Sequence, residues 1–147
     1  GTIKDTVDGL RDKGLKIGVL GITCFRPWPT AAIRSALANA KTVIVIEKSF
    51  GVGLGGIVSA NVRTSYSGSL DAVYTVVAGL GGRPITRESL ARIIREVLDG
   101  IAPALTFLDL NRAAVDRFLA LEREKRRTGP AAEALIKDVG LVTAQLR

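Results

Sequence analysis

The sequence predicts an α/β fold, a three-layer α/β/α sandwich built on a mostly parallel sheet. Three observations predict it. Short, nearly continuous apolar runs alternate with helix-sized segments, glycines and prolines punctuate the boundaries, and the order along the chain is α-β-α-β-α-β-α. Strands without polar alternation are the signature of a sheet covered on both faces.

The elements follow in order. Ile3, Val7 and Leu10 fall at helical spacing, and Gly14 after Asp12-Lys13 supplies a stop, so residues 2–13 are expected to be helical. Lys16–Ile22 (KIGVLGI), Thr42–Glu47 (TVIVIE) and Ala72–Ala78 (AVYTVVA) are each short, apolar and bounded by punctuation, which predicts three buried strands. Thr30–Ala40 opens on a Pro-Thr cap signal, and Gly56–Ser67 carries Ile57, Val58, Val62 and Tyr66 on one stripe; both are predicted helices. Thr86 is placed to cap a further helix, in which Leu90, Ile93, Ile94 and Val97 form an apolar face ending at Gly100.

Beyond Pro103 comes a short apolar stretch, Ala104–Leu108, and then two amphipathic helical segments separated by Thr128-Gly129-Pro130. Leu110, Ala114, Phe118 and Leu121 share one face, and Leu135, Val139, Val142 and Leu146 share another. The expected division is a sheet domain over residues 1–103 and a helical extension over 104–147.

Composition narrows the function. With 147 residues, 47% of them hydrophobic, the chain has the size of one ordinary domain with a real core. It contains one cysteine, Cys24, and no histidine, which excludes an internal disulfide, a zinc or iron–sulfur site built from this chain alone, and any His-based triad. Cys24 lacks a histidine to activate its thiol, so a half-buried structural cysteine is expected. No apolar run approaches the roughly 20 residues of a membrane span, and the first residues, Gly1-Thr2-Ile3-Lys4-Asp5, lack the basic-then-apolar layout of a signal peptide. A soluble, cytoplasmic protein is expected. There is no methionine, and the sequence opens directly on a helix, as expected of a piece of something longer.

The formal charge of +7 raises the question of nucleic acid. Lys125-Arg126-Arg127 follows Glu122 and Glu124, and the other basic residues are interleaved with acids, without aromatics for base stacking. Solvated helix faces and acidic partner subunits explain the charge as well, so no nucleic-acid partner is expected.

Four residues stand out as interface candidates. Arg26-Pro27-Trp28-Pro29 sets a guanidinium and a large aromatic on a loop stiffened by two prolines, and Arg26 and Trp28 are the residue types that anchor protein contacts; Trp28 equally suits the edge of the domain's own core. Glu47, followed by Lys48, ends a strand at the sheet's carboxyl edge, where it is placed to bind a ligand, to pin the following loop or to pair across an interface. Arg83, in Gly79–Thr86 (GLGGRPIT), projects from the same edge, towards an anion at a helix N-terminus or towards a neighbouring subunit. Gly51–Gly56 (GVGLGG) fits GxGxxG literally, which keeps a phosphate- or nucleotide-binding module as the alternative. The first glycine lies four residues past Glu47 and the acid at Asp71 precedes its strand, so a turn that lets helix and sheet approach closely is the stronger reading.

Taken together these segments resemble the pyruvate:ferredoxin oxidoreductase family, in domain II of the α subunit, which is transketolase C-terminal-like. Gly1-Thr2 with Val7 and Leu10–Gly14 is similar to the family's opening helix, Phe25–Pro29 to its RPFP loop with Trp for Phe, Ser49-Phe50-Gly51 with Gly55-Gly56 to its SFG-x-GG turn, and GLGGRPIT to its GLGGRDIT segment, with Pro84 in place of Asp. The resemblance covers about residues 1–100, without the strand that precedes Gly1-Thr2 in the family. It implies a parent enzyme that oxidatively decarboxylates a 2-oxoacid such as pyruvate to an acyl-CoA, passing electrons through iron–sulfur clusters to ferredoxin or another acceptor. It also implies that thiamine diphosphate, its Mg and the clusters lie in other domains of a multi-subunit complex. This chain is then a scaffold with no catalytic, cofactor-binding or metal-binding residue, inactive alone.

Overall fold

The computed structural model describes residues 1–124 and divides into two compact units, Gly1–Asp109 and Leu110–Arg147. In the first unit, α1 (Thr2–Arg11) is followed by α2 (Thr30–Ala36), β1 (Val43–Glu47), α3 (Ile57–Ser65), β2 (Val73–Val77), α4 (Arg87–Leu98) and β3 (Leu105–Phe107). The strands form one sheet in the order β1-β2-β3, parallel throughout, with Val43 opposite Val73 and Thr75 opposite Leu105.

The sheet is apolar on both sides, and each side has its own helices. Val43, Val45 and Val73 face Val58 and Val62 of α3, with Ile22, Trp28, Leu37 and Tyr66 packed around them. Ile44, Ile46, Val76 and Ala78 face Leu90 and Ile93 of α4. α2 packs on α3, and α1 packs on α4. This is the sandwich the alternating pattern predicts.

Local signals fix most element ends. Gly14 takes φ 88° and its N–H donates to the Arg11 carbonyl, closing α1 as the sequence predicts. Thr86 accepts from the Ser89 N–H at 3.1 Å to cap α4, whose Leu90, Ile93, Ile94 and Val97 are all buried. Burying side chains such as Leu90 and Ile93 contributes about 1.5–3 kcal/mol each. α2 stops at Ala36, short of the predicted Ala40.

One predicted strand is not in the sheet. Lys16–Ile22 runs without any strand pairing, and Val19 and Leu20 are exposed. Strand composition is a packing preference that needs a neighbouring strand to act on, and none lies alongside this segment. Cys24 also departs from expectation, because it is exposed. The short stretch after Pro103 supplies β3, held by Leu108 N–H to the Val77 carbonyl and Thr75 N–H to the Ala104 carbonyl.

In the second unit, α5 (Arg112–Glu124) covers the first predicted tail helix, and the Asn111 side chain accepts from the Ala114 N–H at its start. The segment bearing Leu135, Val139, Val142 and Leu146 lies outside the described residues.

Candidate interface at the carboxyl edge of the sheet

Glu47 is the last residue of β1 and is 7% exposed. Its carboxylate accepts from the backbone N–H of Val58 at 2.8 Å and of Ser59 at 2.9 Å, the first turn of α3. A strand-end acid thereby caps the following helix, satisfying orphan amides and favourably opposing the positive end of the helix dipole. Gly56 makes the approach possible, since a Cβ there would lie 2.1 Å from Glu47 Oε1 and 2.4 Å from Ser59 Oγ.

This geometry decides between the two readings of GVGLGG. A pyrophosphate would need the α3 N-terminus, which already holds a buried carboxylate of the same charge. The glycines instead build a tight turn. Gly51 and Gly55 exchange two backbone hydrogen bonds at 2.8 Å, and Gly53 and Gly55 take φ 79° and 81°, which only glycine adopts freely.

The turn presents apolar side chains outward. Val52 is 97% exposed and Leu54 66%, while Phe50 at its base stacks edge-on against Phe107 with ring centroids 5.0 Å apart. The turn after β2 does the same on Gly79, Gly81 and Gly82, all at positive φ, and exposes Leu80. Two adjacent strands therefore end in glycine-built turns with apolar tips.

The four residues singled out in the sequence make contacts within the chain. Arg26 is exposed, lies 4.1 Å over the Phe25 ring and donates to Asn61 of α3. Trp28 donates from Nε1 to Ser65 Oγ at 2.8 Å and packs into the core beneath α3. Arg26, Trp28 and Glu47 thus converge on one helix. Arg83 lies elsewhere, donating to the carbonyl of Asp109, whose carboxylate meets Arg92 at 2.9 Å.

Val52, Leu54 and Leu80 were not singled out in the sequence. Their signal is an apolar residue set between glycines, where no neighbouring side chain can cover it. Ser59 and Ser65, each 0% exposed, were missed as well, because their partners are distant in sequence.

Over residues 1–90 the chain matches the family described as pyruvate:ferredoxin oxidoreductase core domain II. It belongs to that family. The chain is 38% identical over 117 residues to pyruvate synthase subunit PorA of Methanosarcina barkeri, covering 75% of this chain and 29% of that protein. It is 35% identical over 94 residues to the PorA subunit of Methanothermobacter thermautotrophicus, 64% of this chain and 24% of that one. Ketoisovalerate oxidoreductase subunit VorA of Pyrococcus horikoshii is 28% identical over 99 residues, 66% of this chain and 25% of that one. The chain thus spans about a quarter of the length of these relatives.

The helix N-terminus nearest a glycine loop is taken by Glu47, and no group of three His, Cys, Asp or Glu side chains is placed to hold a metal among the described residues. No described helix is long and apolar enough to cross a membrane.

Proposed function

We propose that this chain is a scaffold domain of the α subunit of a thiamine-diphosphate-dependent 2-oxoacid:acceptor oxidoreductase, and that the turn bearing Val52 and Leu54 is a surface on which another domain or subunit seats. The parent enzyme oxidatively decarboxylates a 2-oxoacid to an acyl-CoA and delivers the electrons to ferredoxin or another acceptor. Thiamine diphosphate, Mg and iron–sulfur clusters belong to other parts of that complex. Pyruvate is the first substrate to test, since several relatives are named pyruvate synthase, and 2-oxoisovalerate the second, since another is named ketoisovalerate oxidoreductase.

The observation that carries the reading is the contrast within one edge of the sheet. Its only buried charge, among the residues described, is Glu47, which is spent on α3, while Val52, Leu54 and Leu80 stand exposed on glycine-built turns. An edge that reacts with a substrate needs poised polar groups, whereas an edge that seats a protein needs apolar anchors.

The test is purification of the full-length tagged protein from its host under anaerobic conditions. The expected eluate contains partner subunits, thiamine diphosphate and iron, and reduces viologen when pyruvate or 2-oxoisovalerate is added. An eluate without thiamine diphosphate and without 2-oxoacid-dependent reduction contradicts the assignment.

A further inference from the structure

We propose that Arg26, Arg34, Lys41 and Arg63, gathered at the C-terminal half of α3, form a docking surface for a cluster of Asp and Glu side chains on a folded partner protein. The four meet through contacts with that helix. Arg26 donates to Asn61 Oδ1 at 3.4 Å, Arg34 of α2 donates from Nε to the Ser65 carbonyl at 3.2 Å, and Arg63 belongs to α3 itself. Lys41 is exposed and follows Ala40, whose carbonyl accepts from the Tyr66 hydroxyl at 2.6 Å. The turn bearing Val52 and Leu54 leads into the opposite end of α3.

The described residues do not neutralise this charge. From Lys13 to Leu70 the sequence holds seven Lys and Arg residues and one acid, Glu47, which is buried against the first turn of α3. Arg26, Arg34 and Arg63 donate only to neutral acceptors, and none of the four cations pairs with a described carboxylate, exposed Asp71 included. The negative end of α3 offers roughly half an elementary charge, too little to offset four. A merely solvated face mixes both signs, as α1 and α4 do by pairing Asp8 with Arg11, Asp5 with Arg87 and Glu96 with Arg92.

The guanidiniums are also held ready. Arg26 lies 4.1 Å over the Phe25 ring and donates to the Phe25 carbonyl. Arg34 uses only Nε among the described residues, so its two terminal nitrogens remain for a carboxylate in the paired geometry that suits arginine. Order already present in the free protein is not lost again on binding. Beside Arg34, α2 exposes Ala31, Ala32 and Ser35, small side chains that let a folded surface come close. Phe25, Trp28 and Tyr66 are only half-exposed, and Trp28 and Tyr66 pack into the core, which leaves no platform for nucleobases. A second copy of a chain with formal charge +7 brings the wrong sign. An acidic protein surface meets all of these conditions.

The experiment is carbodiimide coupling, which joins a lysine amine to a carboxylate in direct contact with it. It is run on the full-length protein purified from its host with its partners bound, as the parent and as the Arg34→Lys variant, and read by peptide mass spectrometry. Amide bonds are expected from Lys41, and from the amine introduced at position 34, to Asp or Glu of a partner whose sequence is not this one. In the double variant Arg26→Gln with Arg34→Gln, coupling of Lys41 should fall about tenfold. Coupling to no carboxylate, or only to carboxylates of this sequence in the same or a second copy, overturns the proposal. Nuclease-sensitive material held by the parent and lost from the double variant overturns it as well, because it assigns the cluster to nucleic acid.

Discussion

Replacing Gly56 by alanine tests the central contact of the carboxyl edge. The backbone at Gly56 has φ −74° and ψ 134°, which any residue adopts, so the whole cost of the new methyl is steric. The added Cβ would lie 2.1 Å from Glu47 Oε1 and 2.8 Å from its Cδ, and the carboxylate must leave. Two hydrogen bonds to a charged acceptor are then broken, at about 1.5–3 kcal/mol each. A destabilisation of about 3–6 kcal/mol follows, a large part of the stability of a domain this size. Urea unfolding followed by circular dichroism measures it, with the midpoint falling and the slope unchanged. The decisive control is the double variant Gly56→Ala with Glu47→Ala. Once the carboxylate is gone the methyl has far less to displace, so the two changes should fall short of additivity by about 2 kcal/mol or more. Additive effects, or a loss below about 1 kcal/mol for Gly56→Ala alone, would refute the reasoning.

Further predictions follow from the same contacts. Ser65→Ala strands the half-buried Trp28 N–H and should cost about 1–3 kcal/mol, read from the fluorescence of the chain's single tryptophan during denaturation. Leu90→Ala opens a hole in the core under α4 and should cost about 2–5 kcal/mol in the same titration. Thr86→Ala removes the cap of α4 and should lower stability by about 1 kcal/mol, which Thr86→Ser should largely restore. Arg87→Ala breaks an exposed ion pair with Asp5 and should change the unfolding midpoint by no more than about 1 kcal/mol equivalent.

The parts of this fold legible in the sequence are those whose signals are local. α4 shows its cap at Thr86, its face at Leu90, Ile93, Ile94 and Val97 and its stop at Gly100 within one stretch, and the structure follows all three. β1 and β2 were legible because both are mostly β-branched and apolar, carry no glycine and are paired. Lys16–Ile22 is also largely apolar, but it carries Gly18 and Gly21 and lacks a neighbouring strand, and pairing is a property of the assembled sheet that the segment does not encode alone. At the carboxyl edge, the sequence located Glu47 at a strand end but left its role open. Its partners lie 11 and 12 residues downstream, and only the absence of a Cβ at Gly56 brings the carboxylate to them. The outward tips were hidden for a related reason, since apolar Val52 and Leu54 appear core-like in sequence until positive φ at Gly53 and Gly55 turns them out.

The most direct test of the assembly role is the double substitution Val52→Asp with Leu54→Asp in the full-length subunit, followed by native mass spectrometry of the purified complex. Both side chains point into solvent, so the subunit's own unfolding midpoint should stay unchanged while its association with partner subunits falls by tenfold or more, as expected when charge enters an apolar anchor. A variant that assembles and turns over like the parent would contradict the account.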